Sequence, residues 1–499
     1  MAQPIQLQRL LKGIDWSAPG SRVSPDLPIQ GLEFDSRLVT PGSLFFAFQG
    51  KRADGRTFTA DALAKGAVAV VAGTPPPEGF AGPWIVVPHL RRALAVAAKE
   101  FYGRLDEKLR LTGVTGTNGK TTTCYLIDSI LRRAGMRTGL VGTIQYRVGD
   151  EILDAVNTTP ESLEFHRLLA RVESIGGTHV TAEVSSHALE LGRVYGMYFD
   201  VGVFMNLTRD HLDFHGDMES YFAAKRRLFE GAGAPPPRVM VLNADDAYAR
   251  RIAPAAGSST VWYGLGKEAA VRAVEVTPSL QGLRFEIERE GRRTPVESPM
   301  AGRVNVYNLL AAYATGLALG VSHEMAIAGI ADCGAVPGRF ERVDEGQPFG
   351  VFVDYAHTDD ALRNVLATAR ELTHGRVITV FGCGGDRDRE KRPLMGQAAG
   401  QGSDFVVLSS DNPRSEDPLA IINDALVGLR RTDVRHVVEP DRATAIRKAI
   451  EEASAGDVVV LAGKGHETYQ VLKDRTIEFD DRQVARRVLR GFGYARERG

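Results

Sequence analysis

The segment LTGVTGTNGKTTT, residues 111–123, decides the fold of the region around it. An apolar strand runs into a glycine-rich turn, and a helix begins after Gly119. Glycines let successive backbone N–H groups point at one anion, and the N-terminus of the helix adds a partial positive charge. Lys120 can reach the outer phosphates of a nucleotide, and the Thr121 hydroxyl can bind Mg²⁺. Val114 stands where the strict G-x-x-x-x-G-K motif requires glycine, so we predict a variant phosphate-binding loop rather than a plain turn with an exposed lysine.

The composition is that of an ordinary globular protein, with 43% apolar and 25% charged residues in a chain of 499. This length suggests about three domains. The net charge of −1 gives no overall field that would attract nucleic acid or an anionic membrane, and we expect neither as a partner. The three cysteines are far apart and form no C-x-x-C pair, which argues against a disulfide framework or a zinc site. We therefore expect a cytoplasmic protein without a signal peptide or a membrane span.

Apolar strands alternate with helical segments along the chain, which predicts α/β units with largely parallel sheets. In the first unit we expect strands at 42–48, 67–71 and 84–87. In the second we expect a helix over 161–174 and a later helix capped by Asn305. We predict three domains: a small mixed α/β domain over residues 1–107, a central P-loop ATPase-like domain with a mainly parallel sheet over 108–336, and a Rossmann-like α/β domain over 337–499.

Two further residues of the central unit could carry chemistry. Glu183 ends an apolar strand and could hold Mg²⁺ if that strand lies beside the phosphate loop, although an acid at a strand end is often simply solvated. Lys225 falls in the apolar stripe of a helix over 218–229. Its stem could pack while the amine reaches water, or the amine could be buried and partly neutral. A neutral amine can react with carbon dioxide to give a carbamate that binds a second Mg²⁺.

Seven segments, taken together and in this order, resemble the ATP-dependent Mur ligase family: GTNGKTTT, EVSSHALELGRV, NLTRDHLDFHG, NVYNLLAA, PGRFERV, DYAHT and GKGHE. The resemblance covers nearly the whole chain. It implies the ATP-dependent ligation of meso-diaminopimelate to the D-glutamate γ-carboxylate of UDP-N-acetylmuramoyl-L-alanyl-D-glutamate, through an acyl phosphate, in peptidoglycan precursor synthesis. It also implies a UDP-sugar-binding first domain, an ATP-binding central domain and an amino-acid-binding third domain.

The resemblance implies the roles of individual residues around ATP and two Mg²⁺ ions. The expected catalytic residues are Lys120, Lys225, His211 and Glu183. The expected metal ligands are Thr121, Glu183, His211 and Lys225 as its carbamate. The expected ATP-binding residues are Gly116, Thr117, Asn118, Gly119, Lys120, Thr121, Thr122, Asn305, Asn308, Arg339, Asp354 and His357.

The same match assigns the two other substrates. The residues expected to bind the UDP-muramoyl dipeptide are Ser36, Lys51, Arg52, Ala53, Asn157, Thr158, Thr159, Ser185 and Arg193. The residues expected to bind diaminopimelate are Arg387, Asp411, Asn412, Pro413, Arg414, Gly463 and Glu467. Some relatives carry glutamine where Leu191 stands and proline where Asp359 stands, so the contact at Leu191 could be absent.

Arg414 is expected to select the amino acid. Diaminopimelate has one carboxylate more than L-lysine, and a guanidinium can pair with it bidentately. Lysine would leave the arginine unpaired, at a cost of about a hundredfold in selectivity. Glu467 could meet the distal ammonium. The plain alternative for Arg414 is a surface ion pair with Glu416 or Asp417.

Three other functions stay open at this point. They are the same ligation with L-lysine, a ligase of the folylpolyglutamate synthetase type, and a nucleotide-dependent switch or motor. The unit before the phosphate loop argues against the second, and the strand ends at DNPR and GKGHE would have no role in the third. We expect a monomer that closes about hinges near residues 108 and 337 when it binds its substrates.

Overall fold

Three main β-sheets follow one another along the chain, one in each predicted domain. The structure is a computed structural model and describes residues 4–50, 54–252, 254 and 256–495. Lys51, Arg52 and Ala53, which were predicted to contact the nucleotide sugar, lie outside the described residues. Within the described part of the chain, no helix combines the length and the apolar character needed to cross a membrane.

The first unit contains a four-stranded parallel sheet in the order β3-β4-β5-β6 and a short antiparallel ribbon of β1 and β2. The three predicted strands are confirmed to within three residues at each end. Its strands and helices are β1 (Ile5–Gln6), α1 (Leu7–Leu10), β2 (Pro28–Ile29), β3 (Gly31–Glu33), β4 (Ser43–Phe46), α2 (Thr59–Ala64), β5 (Ala69–Ala72), β6 (Trp84–Val86) and α3 (Leu90–Phe101).

The central unit is built on an eleven-stranded sheet in the order β10-β9-β8-β11-β7-β12-β13-β14-β15-β16-β17. Its elements are β7 (Arg110–Thr115), α4 (Lys120–Arg133), β8 (Thr138–Val141), β9 (Gln145–Val148), β10 (Glu151–Asp154), α5 (Ser162–Ser174), β11 (His179–Glu183), α6 (Ser186–Leu191), β12 (Val201–Phe204), α7 (Leu212–His215), α8 (Met218–Glu230), β13 (Val239–Asn243), β14 (Ser259–Gly264), β15 (Val271–Ser279), β16 (Gly282–Arg289), β17 (Arg292–Ser298), α9 (Val304–Ala318) and α10 (His323–Asp332).

The middle of this sheet is parallel, as predicted, and helices cover both of its faces; the parallel strands, in sheet order, are β8, β11, β7, β12, β13, β14 and β15. Antiparallel strands extend it at both edges, β9 and β10 on one side and β16 and β17 on the other, which the sequence prediction did not include. The predicted cap at Asn305 is wrong. Helix α9 begins at Val304, and the Asn305 side chain instead donates to the carbonyl of Ala301 at 2.8 Å.

The third unit has a six-stranded sheet in the order β18-β19-β23-β20-β21-β22, in which only β18 is antiparallel, and a ribbon of β24 and β25. Its elements are β18 (Glu341–Arg342), β19 (Gly350–Asp354), α11 (Asp359–Glu371), β20 (Val377–Phe381), α12 (Lys391–Gly402), β21 (Phe405–Leu408), α13 (Pro418–Leu429), β22 (Arg435–Val438), α14 (Arg442–Glu452), β23 (Val458–Ala462), β24 (Tyr469–Val471), β25 (Thr476–Glu478) and α15 (Asp481–Gly491).

The three units contact one another through packing and hydrogen bonds. Leu163 of α5 is buried in the core of the first unit, and Leu280 packs against the core of the third. The Thr208 hydroxyl donates to Asp360 at 2.9 Å across the central and third units. Parallel strands of one sheet end at the same edge, so the segments that follow β7, β11 and β12 come together there.

Candidate active site

The predicted phosphate-binding loop lies between β7 and α4. Gly116 and Gly119 have φ angles of 150° and 86°, and the second lies in the left-handed region that favours glycine. Asn206, after β12, holds the loop: its carbonyl accepts from Thr117 N and its Oδ1 from Asn118 N, both at 2.9 Å. Asn206 was not among the predicted residues. The first-turn N–H groups of α4 lack partners within the helix and are available to an anion.

Two lysines meet at one carbonyl of this loop. Lys120 Nζ donates to the carbonyls of Gly116 and Thr117 at 2.8 Å, and Lys225 Nζ donates to the same Gly116 carbonyl at 2.8 Å. Lys225 is only 1% exposed, and its Nζ lies 4.6 Å from the ring centroid of Tyr221. The prediction of an inward-facing lysine is confirmed, and the alternative in which its amine reaches water is wrong.

Burial and the neighbouring charge act in the same direction on these amines. Burial first, and the positive charge of Lys120 second, hold the pKa of Lys225 well below its usual range. Burial also lowers the pKa of Lys120. Two ammonium groups on one carbonyl repel each other, so the arrangement favours a neutral amine on Lys225.

Glu183 lies beside the phosphate loop because β11 pairs in parallel with β7, with Glu183 opposite Val114. The Thr121 hydroxyl donates to Glu183 Oε2 at 2.9 Å, and Thr143 donates to both Glu183 oxygens through its N–H and hydroxyl. Thr122 is buried in the same helical turn as Thr121. Neighbouring ligands of an octahedral Mg²⁺ with bonds of about 2.0–2.1 Å are about 2.9 Å apart. The hydroxyl and the carboxylate therefore fit a magnesium ion.

His211 lies in the loop after β12 and has a left-handed backbone, with a φ of 53°. Its Nε2 is 3.5 Å from Asp210 Oδ2, and its ring centroid is 4.7 Å from that of His187, which stacks on Phe214. Burial lowers the pKa of His211 to about 4, against the opposing effect of Asp210. The imidazole is thus neutral at pH 7 and can bind a metal. Among the described residues, no three histidine, cysteine or acidic side chains form a ready metal cluster.

The two asparagines predicted to bind ATP lie against the phosphate loop. Asn308 Oδ1 accepts from the Thr123 hydroxyl at 3.4 Å, and Asn308 Nδ2 donates to Asn305 Oδ1 at 2.8 Å. A side chain at Gly119 would collide with Asn308 Oδ1. The pair therefore sets how closely α9 approaches the loop.

The third unit reaches the same place through Arg339. Its Nη2 donates to the Thr121 hydroxyl at 3.1 Å. Asp354, at the end of β19, accepts from Phe340 N at 2.7 Å, and burial raises the pKa of Asp354 to about 6 although Arg339 lowers it. His357 is exposed, and the structure does not bring it into contact with the loop.

Three of the residues predicted to bind the muramoyl dipeptide form a cluster next to Glu183. The Thr159 hydroxyl donates to the Glu183 carbonyl at 2.7 Å and accepts from Ser185 N at 3.1 Å. Arg193 Nη1 donates to the Thr159 carbonyl at 3.0 Å. A substrate carboxylate in this cluster would lie close to Glu183 and its partner Thr121.

The remaining members of that set lie at different distances from the cluster. The Thr158 and Thr143 hydroxyls are 3.1 Å apart, and the Asn157 backbone is held by the Tyr146 hydroxyl. Ser36, in the first unit, is buried, and no hydrogen bond joins it to those members of the set that the structure describes. The structure therefore brings together the residues that were predicted to bind the peptide part of the substrate, whereas Ser36 is not among them.

A cavity of about 640 Å³ lies between the first and central units. Phe48 and Tyr195 form part of its wall, each with a guanidinium 5.0 Å from its ring centroid. The basic side chains that line it are Arg56, His89, Arg91, Arg92 and Arg227. None of them was predicted, because they come from distant parts of the sequence and meet only after folding. Three of the arginines are already paired with carboxylates: Arg56 with Asp54, Arg91 with Glu161, and Arg227 with Glu190, which also lines the cavity.

The strand ends of the third unit bring most of the predicted amino-acid-binding residues together. Asp411, Asn412 and Pro413 are buried, and Asn412 Nδ2 donates to Glu467 Oε2 at 2.8 Å. Gly463 has a φ of 114°, and a side chain there would collide with Asp411. Glycine is required at this position for both reasons.

Arg414 has no carboxylate partner. Its Nη1 donates to the Gly385 carbonyl at 2.7 Å, and no acidic oxygen of the described residues lies within 4.0 Å of its guanidinium. Hydrogen bonds from Arg392 lower the pKa of Glu416 to about 2, and Asp417 caps α13. The alternative of a surface ion pair with Glu416 or Asp417 is therefore wrong.

Arg387 lies beside Gly384, as does Arg414: a side chain at Gly384 would come within 3.0 Å of Arg414 Nη1 and 3.7 Å of Arg387 Cγ. Arg387 is exposed, and its Nη1 donates to the carbonyl of Asp386 at 3.3 Å. No hydrogen bond of the described residues joins it to Arg414 or Glu467, and its predicted role stays a prediction.

Fold and site together define a nucleotide-dependent enzyme with a phosphate-binding loop and a separate α/β unit for a second substrate. Three family models match successive parts of the chain: the Mur ligase family catalytic domain matches residues 28–102, the Mur ligase middle domain 114–316, and the Mur ligase glutamate ligase domain 338–465.

Full-length relatives give the same result. The UDP-N-acetylmuramoyl-L-alanyl-D-glutamate--2,6-diaminopimelate ligase of Solibacter usitatus (strain Ellin6076) is 62% identical over 98% of this chain and 99% of its own. The ligase of the same name from Geobacillus thermodenitrificans (strain NG80-2) is 47% identical over 97% and 99%. A solved structure of such a ligase superposes with a TM-score of 0.71 and 35% identity, over 99% of this chain and 100% of that one. The chain belongs to the Mur ligase family.

Proposed function

We propose that the chain ligates meso-diaminopimelate to the D-glutamate γ-carboxylate of UDP-N-acetylmuramoyl-L-alanyl-D-glutamate, with conversion of ATP to ADP and phosphate. The relatives named above carry this activity in their names, and their similarity extends over the whole chain. The observation that carries the choice of amino acid is Arg414, whose guanidinium donates to a carbonyl and pairs with no carboxylate of the described residues. A free guanidinium there suits the distal carboxylate that L-lysine lacks.

The reaction has two steps. An oxygen of the γ-carboxylate attacks the γ-phosphorus of ATP, ADP leaves, and an acyl phosphate forms. The amine of diaminopimelate then attacks the acyl carbon, loses a proton, and expels phosphate to leave the amide. Lys120 and the first-turn N–H groups of α4 stabilise the charge on the transferring phosphoryl group.

Magnesium would be held by Thr121, Glu183 and His211, with Lys225 as its carbamate completing a second position. Bound Mg²⁺ would neutralise phosphate charge during the transfer. The protein residues keep these ligands in their reactive states: Thr143 orients Glu183, and burial keeps the His211 imidazole neutral. The proposal of a carbamate rests on the buried Lys225 amine beside Lys120.

The basic cavity between the first and central units is the proposed site of the nucleotide end of the substrate. Its volume of about 640 Å³ and its arginines suit a diphosphate, and Phe48 and Tyr195 add apolar surface. The muramoyl peptide would extend from there to Thr159 and Arg193, next to the magnesium site. We further propose a cytoplasmic monomer; Cys124, Cys333 and Cys383 are buried and free, which is usual in a reducing compartment.

The test is phosphate release from ATP by the purified protein with Mg²⁺ and UDP-N-acetylmuramoyl-L-alanyl-D-glutamate. We expect release with meso-diaminopimelate and a kcat/KM about 100-fold lower with L-lysine. Release that does not require an amino acid would instead support a switch or motor. A preference for L-lysine would contradict the role of Arg414.

The carbamate has its own test in Lys225→Ala, which removes the amine from the Gly116 carbonyl. We expect a loss of about 100-fold or more in kcat, with partial recovery when formate or acetate is added in place of the missing carboxylate. Lys448→Ala, which removes a surface ion pair with Glu439, is the matched control and should keep wild-type activity. Full activity in Lys225→Ala would exclude the carbamate.

A further inference from the structure

Lys464 is a fully buried lysine in the third unit that neither the predicted site nor the proposed mechanism uses. It lies two residues after β23, between Gly463 and the loop that carries Glu467, and none of its surface is exposed. A buried ammonium is costly unless charged or polar partners surround it. Its partners therefore indicate what it does.

Those partners are residues of the proposed amino-acid site. Lys464 Nζ donates to Glu467 Oε2 at 3.1 Å and to Asn412 Oδ1 at 3.2 Å, and Asp411 Oδ1 lies 4.0 Å away. Asn412 Nδ2 donates to the same Glu467 Oε2 at 2.8 Å. Two donors thus occupy one oxygen of Glu467. Among the described residues, no hydrogen-bond donor contacts its other oxygen, Oε1.

The charges around Lys464 do not cancel. The side chains of Asp411 and Glu467 are 10% and 14% exposed, and the two carboxylates share the single ammonium of Lys464. The nearby Arg442 is paired with Asp481 at 2.6 Å, and both of those side chains are fully buried. Asp411, Glu467 and Lys464 together therefore leave one negative charge, which suits the ammonium of an incoming amino acid, while the guanidinium of Arg414 is the positive counterpart for its carboxylate.

We infer that Lys464 is a positioning residue that makes the enzyme select a diamino acid by its distal ammonium. It fixes the Glu467 carboxylate through Oε2, so that Oε1 faces the substrate. Its charge reduces the two carboxylates to a single net negative charge. This inference rests on the proposed function and adds to it: Arg414 recognises the distal carboxylate, and Lys464 acts through Glu467 on the distal amine.

The experiment compares meso-diaminopimelate with L-2-aminopimelate, which keeps the distal carboxylate but lacks the distal amine. In Lys464→Gln, we expect KM for diaminopimelate to rise about tenfold or more, because a charged hydrogen bond to Glu467 is lost. The values for L-2-aminopimelate should change less than about threefold, since it never uses Glu467. KM for ATP should not change. Lys448→Gln, on the surface of the same unit, is the control and should match the wild type for both amino acids.

An equal loss for both amino acids in Lys464→Gln would overturn the inference, because a merely structural lysine would affect them alike. A wild-type protein that releases no phosphate with diaminopimelate would overturn the proposed function and the inference with it. If the wild type is active and Lys464→Gln leaves the ratio of the KM values for the two amino acids unchanged, the inference alone is overturned.

If Lys464→Gln does not fold, a second pair of variants answers the same question with the charge of Glu467 removed in both. Glu467→Gln and the double variant Lys464→Gln/Glu467→Gln should show the same ratio between the two amino acids, since Lys464 acts only through Glu467. A further change in that ratio in the double variant would contradict the inference.

Discussion

Arg414 adopts a left-handed backbone, with a φ of 52°, at the buried turn that follows β21. Such a conformation is uncommon for a residue other than glycine and is kept where the surroundings fix it. The turn aims the guanidinium along the strand end toward the carbonyl of Gly385. The guanidinium is thereby held in place by a neutral carbonyl group, which leaves its positive charge available to a substrate carboxylate.

We predict that Arg414→Met lowers the preference for meso-diaminopimelate over L-lysine by about 100-fold, mostly through a higher KM for diaminopimelate. The ratio of kcat/KM for the two amino acids is the measurement. Arg363→Met is the control, because Arg363 forms an exposed ion pair with Asp359 one turn earlier on α11. A preference that survives in Arg414→Met would show that another group reads the distal carboxylate.

The burial of His166, on α5, makes the stability of the folded protein depend on pH. His166 is 1% exposed, and its Nδ1 has no partner among the described residues. Burial lowers the pKa of His166 from 6.5 to about 3. Below pH 6.5 the unfolded chain therefore binds a proton that the folded chain refuses, and stability falls as the pH drops toward 3.

From pH 6.5 to pH 5 this effect should cost about 2 kcal/mol, seen as a lower apparent Tm in thermal unfolding. In His166→Gln the fall in Tm over this range should be smaller than in the wild type. His374→Gln, at an exposed position, should keep the wild-type fall. Equal falls in the wild type and His166→Gln would show that other groups set the pH dependence.

At the scale of elements, helix α4 is flanked at each end by a glycine with a positive φ angle. Gly119 before the helix and Gly135 after it have φ angles of 86° and 80°. The two differ in their surroundings, since a side chain at Gly119 would collide with Asn308 while nothing lies within 4 Å of one at Gly135. They form a matched pair with the same backbone strain.

We predict that Gly119→Ala weakens ATP binding about tenfold or more, because α9 would be pushed off the phosphate loop, while Gly135→Ala leaves it unchanged. Both substitutions should lower stability by about 1–2 kcal/mol through the left-handed backbone. Titration calorimetry with a non-hydrolysable ATP analogue gives the affinities. Equal affinities in the two variants would mean that the loop tolerates the displacement.

At the scale of the whole molecule, the central and third units are linked through the phosphate loop. Thr208 connects them, because its N–H donates to the Thr117 hydroxyl at 3.0 Å and its own hydroxyl donates to Asp360 at 2.9 Å. Arg339 adds a second link to Thr121. Both links lie where ATP is proposed to bind, so nucleotide binding and domain closure should be coupled.

We predict that Asp360→Ala lowers kcat/KM for all three substrates by about 2- to 10-fold, the effect of one lost hydrogen bond on closure. Small-angle scattering should show a larger radius of gyration than in the wild type. Asp359→Ala is the matched control, because Asp359 lies in the same helical turn and pairs with Arg363 within its own unit. No difference between the two variants would exclude a role for the Thr208 contact.

Local patterns made much of the site predictable. The phosphate loop, Glu183 at the end of its strand and Lys225 on the inner face of its helix were each read from a few neighbouring residues, and the structure puts all three around one loop. The antiparallel edges of the central sheet were missed, because the sequence pattern of a strand does not show which strand it will pair with, or in which direction. Asn206 was missed for a similar reason: its role is a contact with a loop 88 residues away.

By itself, the sequence determined the alternation of strands and helices, the phosphate loop and the membership of a family, because these depend on spacing along the chain. Only the tertiary structure decided which charged side chains lie close to one another. It placed Lys120 and Lys225 on one carbonyl, five basic side chains around one cavity, and Lys464 between two carboxylates. Charge and burial act through distance in space, and residues far apart in the chain come within that distance only when it folds.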